Sequence, residues 1–129
     1  MSLELPGVKG DRWRYPRWRV CEEMTGRMAS RNQVSVLDIS LGGALIEHFN
    51  LVRPGSPSFL SLVVQGAEIS LRCRVVRTRL HRHELWPTGE HGYVYRTGLE
   101  FLALSEESRR LLTQYIDFLG EQARAPLSA

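Results

Sequence analysis

The segment at residues 38–43 (DISLGG) combines residue types that can hold a polar ligand. Asp38 and Ser40 stand two positions apart, so in an extended chain their side chains point to the same side. A carboxylate accepts hydrogen bonds through both oxygens, and a hydroxyl both donates and accepts. Gly42 and Gly43 let the backbone turn sharply and approach a ligand closely. The same spacing is typical of an ordinary turn between strands, and on these residues alone that alternative stays open.

A second unusual segment lies upstream, where residues 12–19 (RWRYPRWR) contain four arginines and three aromatic residues. Pro16 biases Tyr15 towards an extended conformation, so we do not predict a helix there. The arginine side chain binds phosphate groups and guanine edges through two parallel hydrogen bonds. The preference of the chain for arginine over lysine favours an anionic or aromatic ligand.

The composition of the whole chain is that of one globular domain. Its 129 residues are 43% hydrophobic and 24% charged, which is close to the average for such domains. These values exclude a disordered tail, a collagen-like rod and a disulfide scaffold, and the length excludes a large two-domain enzyme. The formal net charge is +3, and Lys9 is the only lysine among 17 basic residues.

The N-terminus and the two cysteines indicate the cellular compartment. Residues 3–7 (LELPG) reach a proline and a glycine too early for a signal peptide. No apolar run is long enough to span a bilayer, and Cys21 and Cys73 lack the spacing of metal ligands. We therefore expect a cytoplasmic protein with reduced thiols and without membrane insertion.

Most of the chain shows the patterns of β-strands separated by turns. Alternating polar and apolar residues, or short apolar runs, predict strands and a polar loop at 81–92. The predicted strands lie near residues 17–27, 33–36, 44–49, 59–64, 69–75 and 93–102. In the fifth of these, Arg72 and Arg74 are predicted to face outward between inward-facing apolar positions.

The C-terminal segment has a helical pattern instead. Ser105 is a suitable N-cap, and Glu106 and Glu107 follow it where the helix dipole favours acidic groups. Apolar residues at helical spacing form one face, and Gly120 is the predicted end of the helix. The apolar face comprises Leu111, Leu112, Tyr115, Ile116 and Leu119.

These elements predict a mainly β fold, a six-stranded antiparallel β-barrel with one C-terminal amphipathic α-helix. We expect a single domain over residues 12–123. Residues 1–11 are predicted to be a flexible N-terminal arm and residues 124–129 a frayed tail.

The two ligand-binding segments resemble the PilZ domain family, the bacterial receptor module for cyclic di-GMP. That family carries an Arg-x-x-x-Arg motif on an N-terminal loop, followed by Asp/Asn-x-Ser-x-x-Gly. Asp38, Ser40 and Gly43 match the second motif in full. Residues 98–101 (GLEF) also resemble the end of the family's barrel, so the resemblance runs from Arg12 to about residue 119.

The first motif departs from the family pattern. The distance to the second motif places the motif's second arginine at Arg17, and its first arginine then falls at position 13, where this chain has Trp13. Arg12 and Arg14 flank that position and are candidate substitutes. Trp13 either stacks on a base of the ligand or packs on the barrel and closes the site. The resemblance thus implies ligand binding by Arg17, Asp38, Ser40 and Gly43, with Arg12, Trp13 and Arg14 as further candidates.

The function implied by the resemblance is a non-enzymatic second-messenger receptor. It would bind cyclic di-GMP and act on an unidentified protein effector, with no cofactor. One alternative is a degenerate domain that has lost nucleotide binding and works through protein contacts, which Trp13 favours. Another is a nucleic-acid-binding β-barrel, against which the acidic Asp38 argues because it repels a phosphate backbone.

Other chemistry-bearing residues show weaker patterns. The chain contains no nucleophile elbow, P-loop or paired metal-binding carboxylates, so we predict no enzyme. His81, His83 and His91 lack a carboxylate or thiol at suitable spacing, and no metal site is predicted. A basic run is predicted to be a solvated outer face, with a surface for an anionic partner as the alternative. That run comprises Arg72, Arg74, Arg77, Arg79 and Arg82.

Overall fold

The structure is a computed structural model that describes residues 17–28, 32–49, 54–55 and 57–122. The predicted arm at 1–11 and the predicted tail at 124–129 lie outside these residues. So do Arg12, Trp13 and Arg14.

Six antiparallel strands close into a barrel, in the order β1-β2-β3-β6-β5-β4. The strands are β1 (Trp18–Met28), β2 (Asn32–Ile39), β3 (Gly43–His48), β4 (Pro57–Val64), β5 (Ala67–Leu85) and β6 (His91–Phe101). One helix, α1 (Glu106–Gln122), follows the last strand. This confirms the predicted mainly β fold with a C-terminal helix.

Buried and exposed side chains alternate in the first half of strand β5, as its sequence predicts. Ile69, Leu71, Cys73 and Val75 are buried in the barrel core, whereas Arg72 and Arg74 are exposed on the outer face. A two-residue turn joins β4 to β5, with positive φ angles of 48° at Gln65 and 84° at Gly66. Two positive φ angles are what a tight hairpin with the natural strand twist requires. The predicted facing pattern is confirmed.

The predicted polar loop at residues 81–92 is wrong. Strand β5 continues to Leu85 and β6 begins at His91, so a short turn is all that separates them. Trp86 and Glu90 close that turn through a 2.8 Å bond from the Trp86 N–H to the Glu90 carbonyl oxygen. The segment is polar because this end of the β5–β6 hairpin carries mostly exposed side chains, and a strand without a buried face loses the apolar alternation.

The helix α1 covers the barrel by packing against β1, β4 and β5. As predicted, Ser105 caps it, because the Ser108 N–H donates to Ser105 Oγ at 3.1 Å. The side chains of Leu112, Tyr115 and Leu119 are buried, with Leu111 and Ile116 partly buried beside them. Among the described residues, no helix is long and apolar enough to cross a membrane.

Gly120 does not end the helix as predicted, because α1 continues to Gln122. The glycine instead lies under the indole of Trp18, whose ring atoms are 3.7 Å from the place that a Cβ would occupy. Trp18, the first residue of β1, therefore packs next to the last turns of the helix.

Cys73 is one of the inward-facing residues of β5. Its side chain is fully buried, and burial raises the pKa of the thiol from 9.0 to about 11. In a Cys21→Ser variant, Cys73 is the only thiol, and we expect it to react with an aromatic disulfide reagent at pH 8 only when the protein unfolds. Fast stoichiometric labelling of the folded variant would contradict this placement.

The same shift gives a pH dependence with a definite sign. Because the folded-state pKa is raised, the protonated thiol stabilises the fold fully below pH 9, and this contribution is lost as the pH rises towards 11. We expect a Cys73→Ala variant to lose less stability than the parent protein over that range, measured by urea unfolding.

Candidate ligand-binding site

A β-bulge in β2 places Asp38 on the outside of the barrel. Val36 pairs with Ile46 across β2 and β3, but Asp38 then pairs with Leu45, so Leu37 is an extra residue in β2. Without the bulge, strict alternation would place Asp38 on the inward face together with Val34 and Val36. The bulge turns Asp38 outward instead, and bulges with this effect are common beside functional sites.

Ile39, the residue after the bulge, points into the barrel core again. Ile39 pairs with Ala44 on one side and Trp18 on the other, and both Ile39 and Ala44 are fully buried. The well-packed Ile39 therefore fixes the position of its neighbour Asp38 on the opposite face.

The structure brings together two of the predicted site residues, Arg17 and Asp38. Arg17 Nη1 lies 3.7 Å from Asp38 Oδ2, and the two side chains are 22% and 7% exposed. At this distance the two atoms form an ion pair rather than a hydrogen bond. The outer face thus carries a carboxylate and a guanidinium side by side, which can present acceptors and donors to one polar ligand edge.

Ser40 forms the turn between β2 and β3. Its Oγ accepts hydrogen bonds from the backbone N–H groups of Gly42 at 3.0 Å and Gly43 at 3.1 Å. The Ser40 N–H donates to the Gly43 carbonyl oxygen at 2.9 Å, and the serine is fully buried. In this structure Ser40 is therefore a positioning residue that shapes the loop beside Asp38. A direct contact between Ser40 and a ligand stays a prediction.

Gly42 and Gly43 do not turn the chain through a left-handed backbone. The described glycines with positive φ are Gly55, Gly66 and Gly89. Gly43 begins β3 opposite Glu100, and the Gly42 carbonyl oxygen accepts a 2.9 Å bond from the Phe101 N–H. The glycine pair is thus held by hydrogen bonds to both Ser40 and β6.

The strand register adds charged residues to this face that the sequence pattern did not identify. Arg19 pairs with Asp38 across β1 and β2. Leu45, next to Asp38, pairs with Gly98, which in turn pairs with Arg77 of β5. One row of outward positions therefore runs from Arg19 through Asp38 to Arg77. Such a row depends on pairings between distant segments and on the bulge at Leu37, so no local motif reveals it.

A second row lies one step closer to the loop. Glu100 pairs with Gly43 on one side and with Arg74 on the other. The Arg74 guanidinium donates to Glu100 Oε1 at 2.6 Å, so these two charges neutralise each other. Part of the predicted solvated basic run therefore belongs to the face that carries Asp38.

The histidines lie far along the β5–β6 hairpin. His83 Nε2 and His91 Nδ1 are 2.6 Å apart, and the two rings are stacked at 4.7 Å. The ring of His83 also stacks on Tyr93 at 4.9 Å. Within the described ranges, no group of three or more His, Cys, Asp or Glu side chains is placed to hold a metal ion.

Comparison with known proteins identifies the fold family. The family model described as PilZ domain matches residues 11–118. The chain belongs to the PilZ family. No curated protein sequence matches it at a significant level.

Solved structures with the same fold are PilZ proteins at low sequence identity. The PilZ domain of YcgR from Escherichia coli, solved with cyclic di-GMP, has a TM-score of 0.65 and 19% identity, covering 86% of this chain and 93% of that chain. The complex of MrkH from K. pneumonia with cyclic di-GMP has a TM-score of 0.63 and 18% identity, covering 86% of this chain and 54% of that chain. The Bacillus subtilis inhibitor of motility, MotI, has a TM-score of 0.61 and 15% identity, with coverages of 84% and 51%.

These comparisons establish the PilZ fold for this chain, and the PilZ family is a family of cyclic di-GMP receptors. This PilZ chain spans about half the length of MrkH and MotI.

Proposed function

We propose that this PilZ domain binds cyclic di-GMP on the outer barrel face around Asp38. The observation that carries the proposal is the Arg17–Asp38 pair beside the hydrogen-bonded loop at residues 40–43. This arrangement supports cyclic di-GMP as the ligand, because the nucleotide combines two guanines with two negatively charged phosphates.

The pair is complementary to a guanine edge. A carboxylate can accept hydrogen bonds from both the N1–H and the N2 amine of guanine, whereas a side chain that only donates cannot. A guanidinium can donate to the adjacent O6 and N7 atoms. Arg17 and Asp38 present these two functions 3.7 Å apart, with the carboxylate largely shielded from water. Shielding strengthens the discrimination, because a base with the wrong donors would leave a buried charge without a partner.

The domain is proposed to act as a regulatory adaptor without enzymatic activity. Ligand would order the arginine-rich residues 12–16 beside the Arg17–Asp38 pair, and the new surface would engage a protein effector. Trp18 connects the site to α1, because it lies between Arg17 and Arg19 and contacts the helix at Gly120. Binding favours the ordered state only by its differential affinity for that state.

A second candidate function is a PilZ domain that works through protein contacts without nucleotide. Trp13 favours it, because this residue stands where the family pattern has its first arginine. The hairpin end also favours a protein partner, with Leu80 58%, Leu85 69% and Tyr93 48% exposed. In this case the face around Asp38 would have kept its fold and lost its ligand.

Isothermal titration of the wild-type protein with cyclic di-GMP tests the proposal, with cyclic AMP and a short single-stranded DNA as matched controls. We expect saturable binding for cyclic di-GMP alone. A flat titration with all three, from a protein folded by circular dichroism, would support the second candidate. Saturable binding of the DNA alone would support a nucleic-acid-binding barrel.

A further inference from the structure

Arg19 is an exposed cation directly across the strand pair from Asp38. Arg19 and Asp38 are register partners of β1 and β2, and opposite residues of a strand pair share one face. Within the described ranges, Arg19 makes no ion pair or side-chain hydrogen bond. Its guanidinium is therefore available on the face that carries the Arg17–Asp38 pair.

The backbone of residues 17–19 explains this arrangement. Trp18 pairs with Ile39 and packs on the core, so its neighbours on both sides point outward. Two arginines thus flank one carboxylate, and Asp38 pairs with Arg17. Since the neighbouring Arg74 and Glu100 neutralise each other, this part of the face has a surplus positive charge at Arg19. An arginine in such a place suits a phosphate, which it can grip with two hydrogen bonds.

We propose that Arg19 binds a phosphate of the ligand and supplies the cation that is missing at position 13, where this chain has Trp13. The proposal rests on the proposed function, because it places the nucleotide on the same face. It assigns the guanine edge to the Arg17–Asp38 pair and a phosphate to Arg19. The alternative is that Arg19 is an ordinary solvated surface arginine.

The chain offers a matched control for that alternative in Arg27. It is exposed on the same strand, pairs with Gln33 rather than with an acidic residue, and makes no ion pair within the described ranges. Its loss removes the same net charge as loss of Arg19. A difference in affinity between the two variants therefore results from the position of the arginine and not from the net charge of the protein.

We expect Arg19→Ala to weaken cyclic di-GMP binding by about 10- to 100-fold, as loss of a charge-assisted hydrogen bond does. Arg27→Ala should change it by less than about threefold. Arg19→Lys should fall between, because an ammonium keeps the charge and loses the two-pronged geometry. Isothermal titration at one fixed ionic strength measures all three, with circular dichroism as the check of folding.

A rescue experiment tests whether Arg19 replaces the cation that is missing at position 13 or contributes to binding independently of that position. If Arg19 supplies the cation missing at position 13, Trp13→Arg should restore most of the affinity lost in Arg19→Ala and improve the wild type much less. Additive effects of the two substitutions would contradict the proposal, because independent sites add. Equal affinities of Arg19→Ala and Arg27→Ala would also overturn it, provided that the wild type binds. A wild type that binds no cyclic di-GMP overturns the proposed function itself.

Discussion

Replacing Asp38 with alanine is expected to weaken cyclic di-GMP binding by about 100-fold or more. The carboxylate is 7% exposed and lies beside Arg17, so its removal leaves the guanine donors of the proposed complex without their acceptor. Two hydrogen bonds to a charged group are lost at once, each worth about 1.5–3 kcal/mol. Isothermal titration of the variant against the wild type measures the effect.

Two further substitutions make the Asp38 experiment specific. Asp38→Asn keeps one acceptor oxygen and should lose less affinity than Asp38→Ala. Glu68→Ala is the matched control, because Glu68 is an exposed acidic residue of β5 opposite Val63, on another part of the barrel. Unchanged affinity in Asp38→Ala, with the fold intact, would remove Asp38 from the binding site.

Replacing Ser40 with alanine is expected to lower the free energy of unfolding by about 2–4 kcal/mol. The backbone N–H groups of Gly42 and Gly43 both donate to the Ser40 hydroxyl, and the serine is fully buried, so water cannot replace it. Each shielded donor that loses its acceptor costs about 1–3 kcal/mol. Urea unfolding followed by circular dichroism measures the loss.

The exposed Ser70 of β5 provides the control for Ser40. Ser70→Ala should change the stability by less than about 0.5 kcal/mol, as surface substitutions do. If Ser40→Ala were as stable as Ser70→Ala, the hydroxyl would not hold the loop. A stable but non-binding Ser40→Ala protein would instead assign the serine to the ligand.

Local sequence patterns were sufficient to predict most of the fold. Alternation in β5 has a period of two, which is the geometry of the strand itself, so the facing of Leu71 and Arg72 was predictable without knowing any neighbour. The helix α1 was predictable for the same reason, from its cap at Ser105 and its apolar face. The hairpin end at residues 81–92 was not, because exposure on both faces removes the alternation that identifies a strand.

The sequence indicates candidate site residues but does not indicate how they are arranged. The segment at 38–43 stands out locally, but the period of Val34 and Val36 would point Asp38 into the core. The bulge at Leu37 that turns it outward depends on pairing with β3. Arg19 and Arg77 join the face through pairings between distant strands, which a single sequence does not reveal.

The central claim is that cyclic di-GMP binds on the outer face around Asp38, and mapping of backbone amide chemical shifts tests it most directly. In a titration of the labelled wild-type protein, we expect the largest shifts at residues 17–19 and 38–43, with smaller ones at Arg74 and Arg77. The hairpin end at residues 80–93 should stay unchanged. Shifts confined to that hairpin, or no shifts at saturating nucleotide, would contradict the account.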